Sequence, residues 1–190
     1  PAGSVLGCGI YTYLASLVMM PVYWLISVVP LLSRRSIIPI AVVTAAFALP
    51  LTLLAAWHLT HPDRYRDIVN AYRIYDADNL NPLQGVRDLS SYFSLGERTA
   101  VYWQAFNPGR WFFTGDSSLV KSTRLVGLFL MPVAPLLLSG IVTAARSRTP
   151  MHVVLLAGLL TAPLPEVLLA QPEIGRWLVV VPFVVILAAI

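Results

Sequence analysis

Apolar positions run unbroken for long stretches of this chain and then stop abruptly. No charged residue occurs over 1–33, 36–57, 125–145 or 177–190, and over 150–169 the single charge is Glu166. The runs are apolar all round rather than striped, the pattern of a helix bathed in hydrocarbon. About 20 helical residues cross a bilayer core, so the runs predict five spans, at about 10–32, 37–58, 125–145, 150–169 and 177 to beyond 190. A membrane barrel would need strict alternation along each strand, and none is visible. The expected fold class is all-α, a polytopic membrane protein. Prolines within the runs (Pro21, Pro50, Pro132, Pro135, Pro163 and Pro182) predict kinks, which membrane helices tolerate because neighbouring groups satisfy the freed carbonyls.

Between the second and third runs the pattern changes. In "DRYRDIVNAYRIYD", Tyr65, Ile68, Val69, Tyr72 and Tyr75 recur at helical spacing. "GVRDLSSYFSLGERTAVYWQAF" repeats the device with Leu89, Tyr92, Phe93, Tyr102 and Phe106. Two amphipathic helices are predicted, lying on the membrane surface or packed over the span ends. Asn107-Pro108-Gly109 signals a turn, and Trp111, Phe112 and Phe113 suit an aromatic belt at the interface. Disordered segments are poor in aromatics, so this is an ordered cap. The chain divides into 1–58 (the end of an earlier helix and two spans), 59–124 (the cap) and 125–190 (three spans, the last cut short).

Composition agrees. Hydrophobic residues make up 57% and charged residues 12%, about half the charge of a soluble domain, and mean hydropathy is +0.74. The short connections "SRRS" and "ARSRT" carry Arg34, Arg35, Arg146 and Arg148, so the positive-inside rule puts both in the cytoplasm and the 59–124 loop outside. The net charge of +4 is spread over loops rather than clustered in a tracking groove, which argues against a nucleic-acid partner. Cys8 is the only cysteine and reads as a packing residue. Pro1 at the start and an apolar run at the end suggest the later piece of a longer protein.

Candidate chemistry is sparse. Asp76 and Asp78, two apart, can share a divalent ion, but a solvated loop end has the same pattern and is preferred; no metal site is assigned. His61 follows the second span and reads as an interfacial polar cap that can also meet phosphate; His58 does the same, and His152 is structural. Glu166 sits near the outer end of a span, with Glu173 and Arg176 in the next turn. Ionisable groups near membrane depth are costly and face a cavity or a partner. An Arg at a span head can clamp a lipid phosphate with its planar fork or snorkel beside Glu173, and Lys121 and Arg124 present the same choice before the third span.

The order of these residues resembles bacterial members of the glycosyltransferase family 39 group. "YFSLGERTAVYWQAFNPGRWFFTGD", then Arg124, then "GLFLMPVAPLLLSGI" is similar to that group's outer-loop pattern Y-F-x-x-F-x-P-x-x-L-F-x-x-G-D and the following span with P-L-L-L-x-G. Phe106, Pro108, Phe112, Gly115, Asp116, Gly127, Pro135, Leu136, Leu137, Leu138 and Gly140 match. "GCGIYTYLAS", "HPDRYRD" and "PEIGRWLVVVPFVVILAA" resemble further segments in the right order. The chain departs at Trp111, where the group has leucine, and at Lys121 and Arg124, which stand for a basic or histidine pair.

The resemblance implies a partial GT-C fold, related to protein mannosyltransferases and the lipid A aminoarabinose transferase, in a bacterial inner membrane. It implies transfer of a sugar, with inversion, from a polyprenyl-phosphate carrier to a glycan, lipid or protein acceptor on the extracytoplasmic face. The acidic residues nearest the chemistry are expected upstream of Pro1. Arg176, Arg124, Lys121, Glu173, Glu166 and His61 are then candidates for the carrier phosphate and substrate, while Phe106, Pro108, Phe112, Gly115 and Asp116 structure the loop. No cofactor is required, and a divalent metal is compatible. The rival expectations are a polytopic transporter or flippase, disfavoured by spans almost bare of ionisable groups, and a non-catalytic membrane assembly subunit whose loop binds a partner.

Overall fold

The computed structural model describes residues 2–12, 14–32, 37–61, 63–72, 74–76, 78–115, 126–147, 149–169 and 178–190. Among them the secondary structure is helical throughout, with no strand. The helices are α1 (Ala2–Gly9), α2 (Leu14–Leu32), α3 (Ile37–Thr60), α4 (Asp63–Ala71), α5 (Pro82–Leu89), α6 (Tyr92–Ala105), α7 (Val133–Ser147), α8 (Pro150–Thr161), α9 (Leu164–Leu169) and α10 (Val181–Ala188). A π-helical turn occupies Arg110–Thr114 and a 3₁₀ turn Leu178–Val180.

Two of the described segments are long and apolar enough to cross a membrane: α3, 24 residues, and the α8–α9 pair, Pro150–Leu169, 20 residues. The other three expected spans are shorter apolar helices. The third differs most, because its helix starts at Val133 rather than near 125. Residues 126–132 fold back instead: Phe129 N–H donates to Trp111 C=O at 2.8 Å, and Gly127 lies so close to the Trp111 and Phe112 backbone that a Cβ would clash.

Close approach of helices organises the packing. On α1, Gly3 and Gly7 set their backbone against the carbonyls of Val43 and Phe47 on α3, a small-xxx-small contact of the kind that drives helix pairing in lipid. Gly140 of α7 meets the Leu187 carbonyl of α10, and Gly158 of α8 meets the Phe183 ring. Around these contacts a single core gathers Ala105 and Trp111 from the loop, Leu137 and Ala144 from α7, Leu155 and Leu159 from α8, and Val184 and Leu187 from α10.

The cap differs from its expected pair of helices. The first helix ends at Ala71, and Ile74 N–H bonds back to Val69 C=O at 3.1 Å. Tyr75 still joins Val69 in a small cluster with Ile74, Leu80 and Leu89, but it does so from a bend and covers Gly85 of α5. The second expected helix is two. Ser91 has extended backbone and accepts from Ser94 N–H at 3.4 Å as the N-cap of α6, while Ser90 ends α5. Adjacent serines compete for backbone bonds and favour a break here. Tyr92 and Phe93, expected on the helix's apolar face, are exposed.

Candidate functional site

The cap meets the membrane-length helices where α6 runs against the end of α8–α9. Arg98 is the centre of that junction. Its Nη1 donates to Val167 C=O at 2.6 Å and to Leu168 C=O, and its Nε to Ser94 Oγ at 2.9 Å. The last carbonyls of a helix have no intrahelical partner and carry its negative end, so a guanidinium both satisfies them and matches their charge. Partial burial of Arg98 lowers its pKa, opposed by the nearby charges of Glu97 and Asp88. One turn on, Tyr102 Oη donates to Leu160 C=O at 3.1 Å. α6 therefore packs against α9, with Tyr102 reaching back to the end of α8.

The chain then enters the turn expected at Asn107-Pro108-Gly109, where Asn107 Oδ1 accepts from Gly109 N–H at 2.8 Å. Pro108 is exposed at its corner. A π-helical turn follows, closed by Gly115 N–H to Arg110 C=O at 3.2 Å. Gly115 ends it with φ of 63° and ψ of −135°, a conformation that costs glycine little and other residues a great deal. Trp111 is buried in the core rather than placed in an interface belt, and its Nε1 donates to Ala105 C=O at 2.6 Å. Phe106, Phe112 and Phe129 surround it, with ring centroids 5.8–6.2 Å from the indole. Phe113 is exposed. Phe106, Phe112 and Gly115 thus come together in one folded turn, with the Arg110 side chain buried beside Trp111.

Glu166 is wholly buried in the first turn of α9, where that helix packs against α2 and α6. His61 lies elsewhere on the chain's surface. Its Nδ1 meets Thr60 Oγ1 at 2.8 Å and Trp57 C=O at 3.2 Å, and its ring stacks on Trp57. It borders an open depression of about 590 Å³ that Arg64, Asp67 and Tyr72 also line. Arg176, Arg124, Lys121, Glu173 and Asp116 lie outside the described residues.

The Asp76 carboxylate is used locally. Its Oδ2 accepts from Asn79 Nδ2 at 2.7 Å and its Oδ1 from the Asp78 and Asn79 amides, which lowers its pKa, the Asn79 side chain contributing most. This is a turn cap. Among the described residues no three His, Cys, Asp or Glu side chains gather as a metal site.

Sequence reasoning missed Arg98, Tyr102 and Arg110. The Ser94–Arg98 spacing, one turn of helix, was the available signal for the first. Nothing in the local pattern marks Arg110 as buried, since its burial follows from the π-turn. The chain matches no family model, no curated protein and no solved structure.

Proposed function

We propose that the chain is the later half of a polytopic membrane glycosyltransferase of the GT-C kind, with five spans, that moves a sugar from a polyprenyl-phosphate carrier to an acceptor outside the bacterial inner membrane. The observation that carries this reading is the folded turn between α6 and α7. Several of the residues on which the resemblance rests are tightly held: Phe106 and Phe112 around Trp111, Gly115 at positive φ, Gly127 under the turn, and Gly140 against α10. Residues 59–124 are then the extracytoplasmic cap, latched to a span end by Arg98.

In this reading the donor brings its own leaving group, a phosphate at the interface, and the protein supplies position and charge stabilisation. Arg176, Arg124 and Lys121 are the candidates for the carrier phosphate, with Glu173, Glu166 and His61 as further candidates for phosphate and substrate. A carboxylate upstream of Pro1 acts as base on the acceptor hydroxyl. Asp116 fixes the loop.

The test uses the parent protein in lipid nanodiscs with polyprenyl-phosphate hexoses and pentoses, following release of polyprenyl phosphate. Turnover with one of them is expected, and Arg176→Ala should lower it by roughly 100-fold, the scale of losing one charge-stabilising contact, with the elution profile of the folded protein unchanged. Wild-type turnover in Arg176→Ala would remove that residue from the site. Absence of turnover with every carrier-linked sugar contradicts the transferase reading.

A further inference from the structure

α6 has two faces, and only one is accounted for by the fold. Val101 and Ala105 point into the protein and are buried, with Arg98 and Tyr102 bonded to α8–α9 beside them. The opposite face carries Tyr92, Leu95, Gly96, Thr99 and Trp103, which recur at the three- and four-residue steps of one helical stripe. All five are exposed: Tyr92 by 88%, Leu95 by 50% and Trp103 by 66% of their surface. None carries a charge, and the charged Glu97 stands off the stripe. An outward row with aromatics at both ends and no charged residue is unlike the solvated face of a surface helix.

Its position says what covers it. Arg98 binds the carbonyls of Val167 and Leu168, in the last turn of a segment long and apolar enough to cross a membrane, and Tyr102 reaches back to that of Leu160, about halfway along it. A helix bonded laterally to the end of such a segment sits at the depth where hydrocarbon gives way to headgroups. Tyr and Trp are enriched at that depth because each has an apolar ring and a polar tip. The preceding helix continues the surface: Leu83 and Val86 of α5 are exposed, with Arg87 next to Val86 able to keep its head among phosphates.

The geometry points to the outer stripe of α6 as a lipid-binding surface that lies in the headgroup and upper acyl region of the bilayer. α6 is thereby held between lipid on one side and α8–α9 on the other. The inference rests on the membrane placement of α8–α9 and not on the transferase reading, so no activity enters its test.

Cys8 is the only cysteine, so Cys8→Ser gives a background for site-specific labelling. Gly96 has open space where a side chain would grow, and Gly96→Cys accepts a nitroxide without disturbing α6. Glu97→Cys, about 100° round the helix, is the water-facing reference. Both are reconstituted in vesicles of phosphatidylcholine and phosphatidylglycerol, and collision with oxygen is compared with collision with a water-soluble nickel chelate. The expected result is an oxygen-to-nickel ratio several-fold higher at position 96 than at 97, with Thr99→Cys following 96. Equal ratios at 96 and 97 would overturn the proposal in favour of a water-facing stripe. A label at 96 shielded from both reagents would overturn it in favour of a protein partner on that face.

Discussion

α3 and the α8–α9 pair are both long and apolar enough to cross a bilayer, with mean hydropathies of 2.4 and 1.8, yet 6% of the first and 44% of the second is buried against protein. α3 touches α1 through the Gly3 and Gly7 contact and leaves Val42, Leu49 and Leu53 exposed. α8–α9 is enclosed by α2, α6, α7 and α10, and it holds the buried Glu166 and the Gly158 contact. Hydropathy measures how well a segment tolerates hydrocarbon and says nothing about whether lipid or protein supplies it. The helices packed around a segment decide that, since lipid tails are as apolar as leucine and give helices no hydrophobic reason to pair.

The comparison breaks most readily at Gly140. Gly140→Leu drives a side chain into the Leu187 carbonyl and should cost at least about 3 kcal/mol, the upper end for overpacking, read as a fall in the thermal unfolding midpoint in detergent. Leu53→Ala on the bare side of α3 should change stability by less than about 0.5 kcal/mol. A comparable loss at both positions would mean that the outward side of α3 is covered as fully as the α7–α10 contact.

The second strongest effect is expected at the latch. Arg98→Ala removes charge-assisted bonds from the end of α9 and should cost about 2 kcal/mol, seen as faster amide exchange across α6 while α3 is unaffected. Arg98→Lys should recover only part, because an ammonium cannot reproduce the planar fork. Trp111→Phe keeps the ring packing and deletes the bond to Ala105 C=O, a loss of about 1 kcal/mol.

The smallest effect concerns the exposed Asp76 turn. Its folded pKa is lowered, so the carboxylate stabilises the turn above the unfolded pKa, and that contribution is lost as pH falls through the lower folded value. Protection of the Asp78 and Asn79 amides should disappear over that acidic interval. Asn79→Ala removes the largest lowering contact and should move the midpoint upward.

These regions also differ in how far the sequence disclosed them. The helical class, α3, α8–α9 and the Asn107-Pro108-Gly109 turn are written in local features, namely long apolar runs and residues with fixed turn chemistry. The "GSVLG" contact of α1 was legible as a small-xxx-small spacing and went unread. The break at Ser90–Ser91 was carried by capping chemistry that a count of apolar spacing overlooks. The burial of Trp111, the late start of α7 and the role of Arg98 depend on partners far along the chain: Phe129, the Trp111 carbonyl, and Val167 with Leu168. No local periodicity encodes such pairs. Of the residues put forward for the site, the structure describes Glu166, His61, Phe106, Pro108, Phe112 and Gly115, and among these the aromatic and glycine positions share one turn.

The proposed topology threads the membrane, with residues 59–124 on one side and the α7–α8 connection on the other. In the Cys8→Ser background, Glu97→Cys and Ser147→Cys can be exposed in intact cells to a membrane-impermeant maleimide. Labelling at 97 in intact cells, with labelling at 147 only after permeabilisation, is the predicted result. Labelling of both positions from the same side would contradict it.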